Sequence, residues 1–154
     1  MKVVTKKMFD RWITDLYESW LNKDKKIYKN LEYHTVDANT VYIINKKTGK
    51  TAYAHAHPND VPSVTTGIAV AWARYRNMEI PKIGRLVTDE SDIFDLKWCD
   101  RIVFDNKEYI FKSRDVGVAF LWDVSAHRQV YIDLIEVFTE GTKIYVLEWS
   151  KNKQ

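Results

Sequence analysis

The 154-residue sequence predicts an α+β fold: an N-terminal amphipathic helix, a β-hairpin with a helix packed on it, then a small antiparallel bent sheet or partly open barrel. Three observations carry that prediction. Apolar side chains near the N-terminus recur at helical spacing, while β-branched and aromatic residues alternate around short turns in mid-chain and again over the last third. The composition, 45% hydrophobic and 14% aromatic with only three Pro and five Gly, is that of a chain able to bury a core.

The first element is the clearest. After Thr5, a candidate N-cap, the run KKMFDRWITDLYESWLN places Phe9, Ile13, Leu16, Tyr17 and Trp20 on one helical stripe ending near Asn22. The lysine-rich segment NKDKKIYKN reads as a solvated connector. Thr40 to Asn45 and Lys50 to Ala56 form a hairpin across Lys46 to Gly49, where Gly can take positive φ. Pro58 and Pro62 then interrupt the pattern, and Ser63 caps a second helix that ends near Asn77, with Val64, Ile68, Ala71, Trp72 and Tyr75 on one face.

Beyond Gly84 the texture becomes β. Arg101 to Phe104 and Glu108 to Lys112 flank Asp105, Asn106 and Lys107 as a second hairpin, and Val116 to Val124, Gln129 to Phe138 and Lys143 to Trp149 are further strand candidates. The last two would pair across Thr139 to Thr142. The stretch Asp115 to Ser125 fits a short helix as well as a buried strand.

The net charge of +3 hides a gradient. Residues 1–85 carry 15 basic and 8 acidic side chains, and residues 86–154 carry 9 and 13, so a cut after Arg85 separates a basic helix–hairpin–helix part from an acidic β-rich part. These are two subdomains or one compact unit. Opposite charges can steer a basic surface toward phosphate, or can simply attract the two halves to each other. With no signal peptide and no apolar run approaching about 18 residues, the expectation is a soluble, cytoplasmic protein that does not bind membranes.

Catalytic signatures are sparse. The five glycines are isolated, so no phosphate-cradling loop or dinucleotide fingerprint can be assembled, and Cys99 lacks a neighbouring His to activate it. No cofactor is expected, and the protein is expected not to be an enzyme. The one constellation with ligand chemistry is His55, His57 and Asp60: in a strand the two imidazoles would share a face about 7 Å apart, with the carboxylate as an oxygen ligand. A structural role for both histidines competes with it. Asp89, Glu90, Asp92 and Asp95 could likewise hold Mg²⁺, but their spacing also fits a linker or helix start.

Thr51, Ala52, Ala54, Pro58, Asp60, Gly67, Ala71 and Arg74 keep, without gaps, a pattern of Thr-Ala-x-Ala, Pro-x-Asp and Gly-x-x-x-Ala-x-x-Arg. This segment resembles a module in small accessory proteins of phages and other mobile elements of low-GC Gram-positive bacteria. It departs from that pattern at His55, Ala56, Pro62 and Val70, where the module has Lys, Cys, Phe and Leu. The resemblance implies a phage or mobile-element setting. Many such proteins block host machinery, and anti-CRISPR inhibitors of type II effector nucleases are one group.

Two function classes follow. In the first, the protein binds a bacterial protein or ribonucleoprotein, such as a CRISPR effector nuclease, through aromatic anchors and charged rims. Trp12, Trp72, Arg74, Arg76, Lys82 and Arg85 form the contact set, provided they are exposed. In the second, the basic N-terminal half binds nucleic acid phosphate directly.

Overall fold

The computed structural model describes residues 2–37, 39–56 and 63–148. In chain order the elements are β1 (Val3–Val4), α1 (Lys6–Leu21), β2 (Leu31–Asp37), β3 (Thr40–Asn45), β4 (Thr51–His55), α2 (Val64–Tyr75), β5 (Lys82–Leu86), α3 (Glu90–Phe94), β6 (Arg101–Phe104), β7 (Lys107–Asp115), β8 (Val118–Asp123), β9 (Arg128–Asp133), α4 (Leu134–Thr139) and β10 (Tyr145–Leu147). The fold is α+β. The chain divides into two compact units: Lys7–Ile80, and the residues up to Lys6 together with those from Pro81 onward.

In the smaller unit, β2, β3 and β4 form an antiparallel sheet in that order. Strand alternation sends Val41, Ile43, Ala52 and Ala54 to one face, where they pack with Ile13, Leu16 and Trp20 of α1 and with Ile68, Ala69, Ala71 and Trp72 of α2. The predicted stripe of α1 is therefore its buried face. On α2 the buried arc is wider than the sequence predicts: Val64 is exposed, whereas Ala69 and Ala73 are fully covered. Ser63 caps α2 by accepting from the Thr66 amide at 3.3 Å. At the other end Asn77 takes φ 56° and the Asn77 and Met78 amides donate to the Arg74 and Ala73 carbonyls, closing the helix as a Schellman motif. β2 has no counterpart among the predicted strands, because LEYHTVD is polar and its last five residues are exposed.

The larger unit is built on a seven-stranded sheet, ordered β1-β5-β10-β6-β7-β8-β9, parallel between β1 and β5 and antiparallel elsewhere. It is an open mixed sheet with β1 and β9 at its edges. Ile102, Phe104, Tyr109, Phe111, Ala119, Leu121 and Val146 pack with Ile93 of α3 and Leu134 of α4 in one core. The β6–β7 hairpin turns on Asp105 and Asn106 alone, at φ 50° and 60°, the two-residue connection whose twist matches the strands. Residues 118–123, where helix and strand competed, form strand β8.

Two sequence expectations fail here. The predicted strand Gln129 to Phe138 is strand only to Asp133, whose side chain then accepts from the Glu136 amide at 3.1 Å and caps α4. β10 does not pair with the strand preceding it but inserts between β5 and β6. The local alternation was read correctly, and the long-range partner was not encoded in it. Assigned to compact units rather than to a cut after Arg85, the charges even out. Lys7–Ile80 holds 11 basic and 8 acidic side chains, and the other unit 13 of each, because Lys2, Lys6, Lys82 and Arg85 belong to the larger unit.

Candidate interaction surface

The larger unit carries an open cleft of about 740 Å³ lined by Arg85, Phe94, Asp95, Leu96, Lys97, Asp100 and Arg114. Its walls follow from local sequence. Asp89 accepts from the Ser91 amide at 3.1 Å and Asp92 answers from within the first turn of α3, bonding the Thr88 and Asp89 amides at 3.0 and 3.2 Å. That capping box turns TDESDIFD into a helix start. The bond from the Thr88 amide does most to hold the Asp92 carboxyl below its ordinary pKa, ahead of the opposing effect of burial, with the Asp89 amide and the nearby Arg85 charge acting in the same direction. Arg85 reaches Asp92 at 3.6 Å.

α3 ends by projecting Phe94 outward, and Arg114 of β7 lies over its ring at 5.4 Å while donating to the Ile93 carbonyl at 3.3 Å. A register shift between Phe111 and Ser113 makes this possible. Phe111 pairs with core residue Leu121, so regular alternation would send residue 114 to the opposite face; the bulge instead pairs Arg114 with core residue Ala119 and aims it at α3. The adjoining turn is fixed by Asp100, which accepts from the Lys97 amide at 2.9 Å, and by the Cys99 amide, which donates to the Phe111 carbonyl at 2.8 Å with Cys99 at φ 72°. This turn leaves Trp98 66% exposed, with the Lys112 ammonium 5.7 Å from its ring.

The predicted contact residues are divided between the units, with Trp12, Trp72, Arg74 and Arg76 in Lys7–Ile80 and Lys82 and Arg85 in the other. Trp72 is a correction: at 1% exposure it is a core residue, its ring edge-on to Trp20 and Tyr28 and its indole N–H donating to Ser19 at 3.2 Å. Trp12 is half-buried against Phe9, at 5.6 Å between rings. Arg76 covers the Trp72 ring at 5.1 Å, and Arg74 donates to the Tyr53 carbonyl at 2.8 Å. Lys82 pairs with Glu108 at 2.5 Å. Only Arg85 lines the cleft. Phe94 and Trp98 were missed because nothing local in the sequence separates an exposed aromatic from a buried one, and Arg114 because the bulge that aims it is set by pairing with β8.

Of the metal candidates, His57 and Asp60 lie outside the described residues, and the His55 Nδ1 atom is hydrogen-bonded with Thr40 at 2.7 Å. Among the described residues no group of three or more His, Cys, Asp or Glu is placed to hold a metal ion, and no helix is long and apolar enough to cross a membrane. Set against known proteins, the chain matches no family model, no curated protein and no solved structure.

Proposed function

We propose that this is a non-enzymatic accessory protein of the phage or mobile-element kind that binds and inhibits a bacterial defence nuclease, a type II CRISPR effector in its sharpest form. The supporting observation is the exposed Trp98, next to a cleft where Phe94, Arg85 and Arg114 meet. Tryptophan and arginine are the side chains that most often dominate protein interfaces, since each buries a large surface while a polar group stays satisfied. A solvent-exposed indole with a lysine beside it has little reason to be there for stability alone. The accessory-protein resemblance over Thr51 to Arg74 supplies the setting and Trp98 the anchor.

The test is DNA cleavage by purified type II effector ribonucleoproteins with increasing amounts of this protein. Protection is expected, and Trp98→Ala should weaken it by at least about tenfold, the size of a hot-spot truncation. Full cleavage at saturating protein would sink the nuclease reading. Undiminished protection by the Trp98→Ala variant would move the interface elsewhere.

A further inference from the structure

We propose a second binding site, on the smaller unit: the face of the β2–β3–β4 sheet turned away from its helices, which takes single-stranded nucleic acid by stacking bases on His34, Tyr42 and Tyr53. The three residues are in register across the three strands, His34 opposite Tyr42 and Tyr42 opposite Tyr53. Their rings run in a row, 5.2 Å apart and nearly parallel between His34 and Tyr42, then 5.8 Å apart and tilted by 44° between Tyr42 and Tyr53. Alternation accounts for their placement. Val41, Ile43, Ala52 and Ala54 take the core face, so the residues between them must take the other. Tyr53 is 56% exposed there, and the His34 side chain 46%.

Cross-strand aromatic pairs stabilise a sheet, and that alone could explain two rings. Cations also lie at its margins. Lys46, 61% exposed, pairs with Glu32 at 3.3 Å, and Glu32 in turn holds the His34 Nε2 atom at 2.7 Å, so a phosphate reaching Lys46 must displace that carboxylate. Arg74 leaves α2 to donate to the Tyr53 carbonyl, which fixes its guanidinium beside the β4 backbone at that residue. Lys47 adds an exposed ammonium in the β3–β4 turn. Aromatic rings flanked by cations form the arrangement that holds a single strand, since every base has a face to stack and every nucleotide a phosphate to neutralise. A duplex keeps its bases stacked on one another and offers the rings nothing. The occupant is therefore unpaired, and the site is independent of the cleft on the larger unit.

The experiment is fluorescence anisotropy of the full chain with labelled oligothymidine and oligouridine of about 15 nucleotides at about 50 mM salt. Binding of at least one is expected, the ratio of the two affinities identifying the sugar, with a duplex of the same length bound more weakly. Tyr53→Ala should lower affinity about tenfold, the typical loss for one stacked base. Tyr53→Thr, which removes the ring but keeps a β-branched side chain suited to a strand, should do the same, and Tyr53→Trp should retain binding. The site is refuted if neither oligonucleotide binds. It is equally refuted if both ring-removing variants, shown to be folded by their melting curves, bind as tightly as the unmodified protein.

Discussion

Glu108 is a buried charged side chain of the larger unit. It is 7% exposed, and its two oxygens each take a cation, Lys82 and Arg101, both at 2.5 Å. Burial by itself would raise its pKa, but the hydrogen bonds from Lys82 and Arg101 outweigh that and hold the carboxyl below its ordinary value. A folded-state pKa lower than the unfolded one means stability that is present above the unfolded value, about 4.3, and lost as pH falls through the folded value. Glu108→Gln should therefore cost about 2–3 kcal/mol in urea melts at pH 7, because two cations lose their shared counter-charge. The gap to the unmodified protein should begin to narrow as pH falls below about 4.3, where the unfolded carboxyl takes up its proton, and close only once pH passes below the lowered folded-state pKa. A gap independent of pH would mean that the loss comes from packing. The same scale shows the limit of reading residue types: Trp72 and Trp98 are chemically identical anchors, yet one is 1% and the other 66% exposed. Helical spacing to Ile68 and Tyr75 marks Trp72 as core once the helix is known, whereas Trp98 sits in a turn with no period to judge it by.

Elements were legible wherever their signals are local. The stripe of α1, the Ser63 cap and the two hairpins each need only neighbouring residues as context and are found in place, and of the readings open for Asp89 to Asp95 the helix start is the one formed. What failed needs distant partners or a change of period. The parallel pairing of β1 with β5, the insertion of β10 and the bulge that aims Arg114 depend on strands far apart in sequence, and at Asp133 a strand passes directly into a capped helix. The contact between α2 and the sheet belongs to the legible class, and it makes a sharp prediction. A Cβ at position 67 would come 2.6 Å from the Val41 Cγ2 atom, and valine, stiff at χ1, cannot turn aside. Gly67→Ala gains about 1 kcal/mol of helix propensity but must push α2 off β3, costing about 1–3 kcal/mol. Net destabilisation is expected in thermal melts, and Gly67→Ala combined with Val41→Ala should recover part of the helix gain at the expense of a cavity. A stabilised single variant would show that the helix can shift without loss.

At the scale of the whole molecule, the modest excess of three positive charges on the smaller unit constrains how nucleic acid can be held. With Lys46 paired to Glu32, Lys47 and Arg74 at the rim of this face can neutralise about two phosphates. For a single strand the logarithm of affinity should then fall against the logarithm of salt with a slope of about −1.4, a loss of about sevenfold between roughly 50 and 200 mM. A much steeper slope would indicate that charge, not stacking, supplies the binding. Stacking and protein recognition are assigned to different units, so they should fail separately. Tyr53→Ala should abolish most oligonucleotide binding while leaving nuclease protection intact, and Trp98→Ala should do the reverse. Single variants that lose both activities together, while melting as the unmodified protein does, would show that one surface serves both ligands. Separate losses would instead mark a protein with one face for a protein surface and another for an unpaired strand, a pairing suited to a target in which the two occur together.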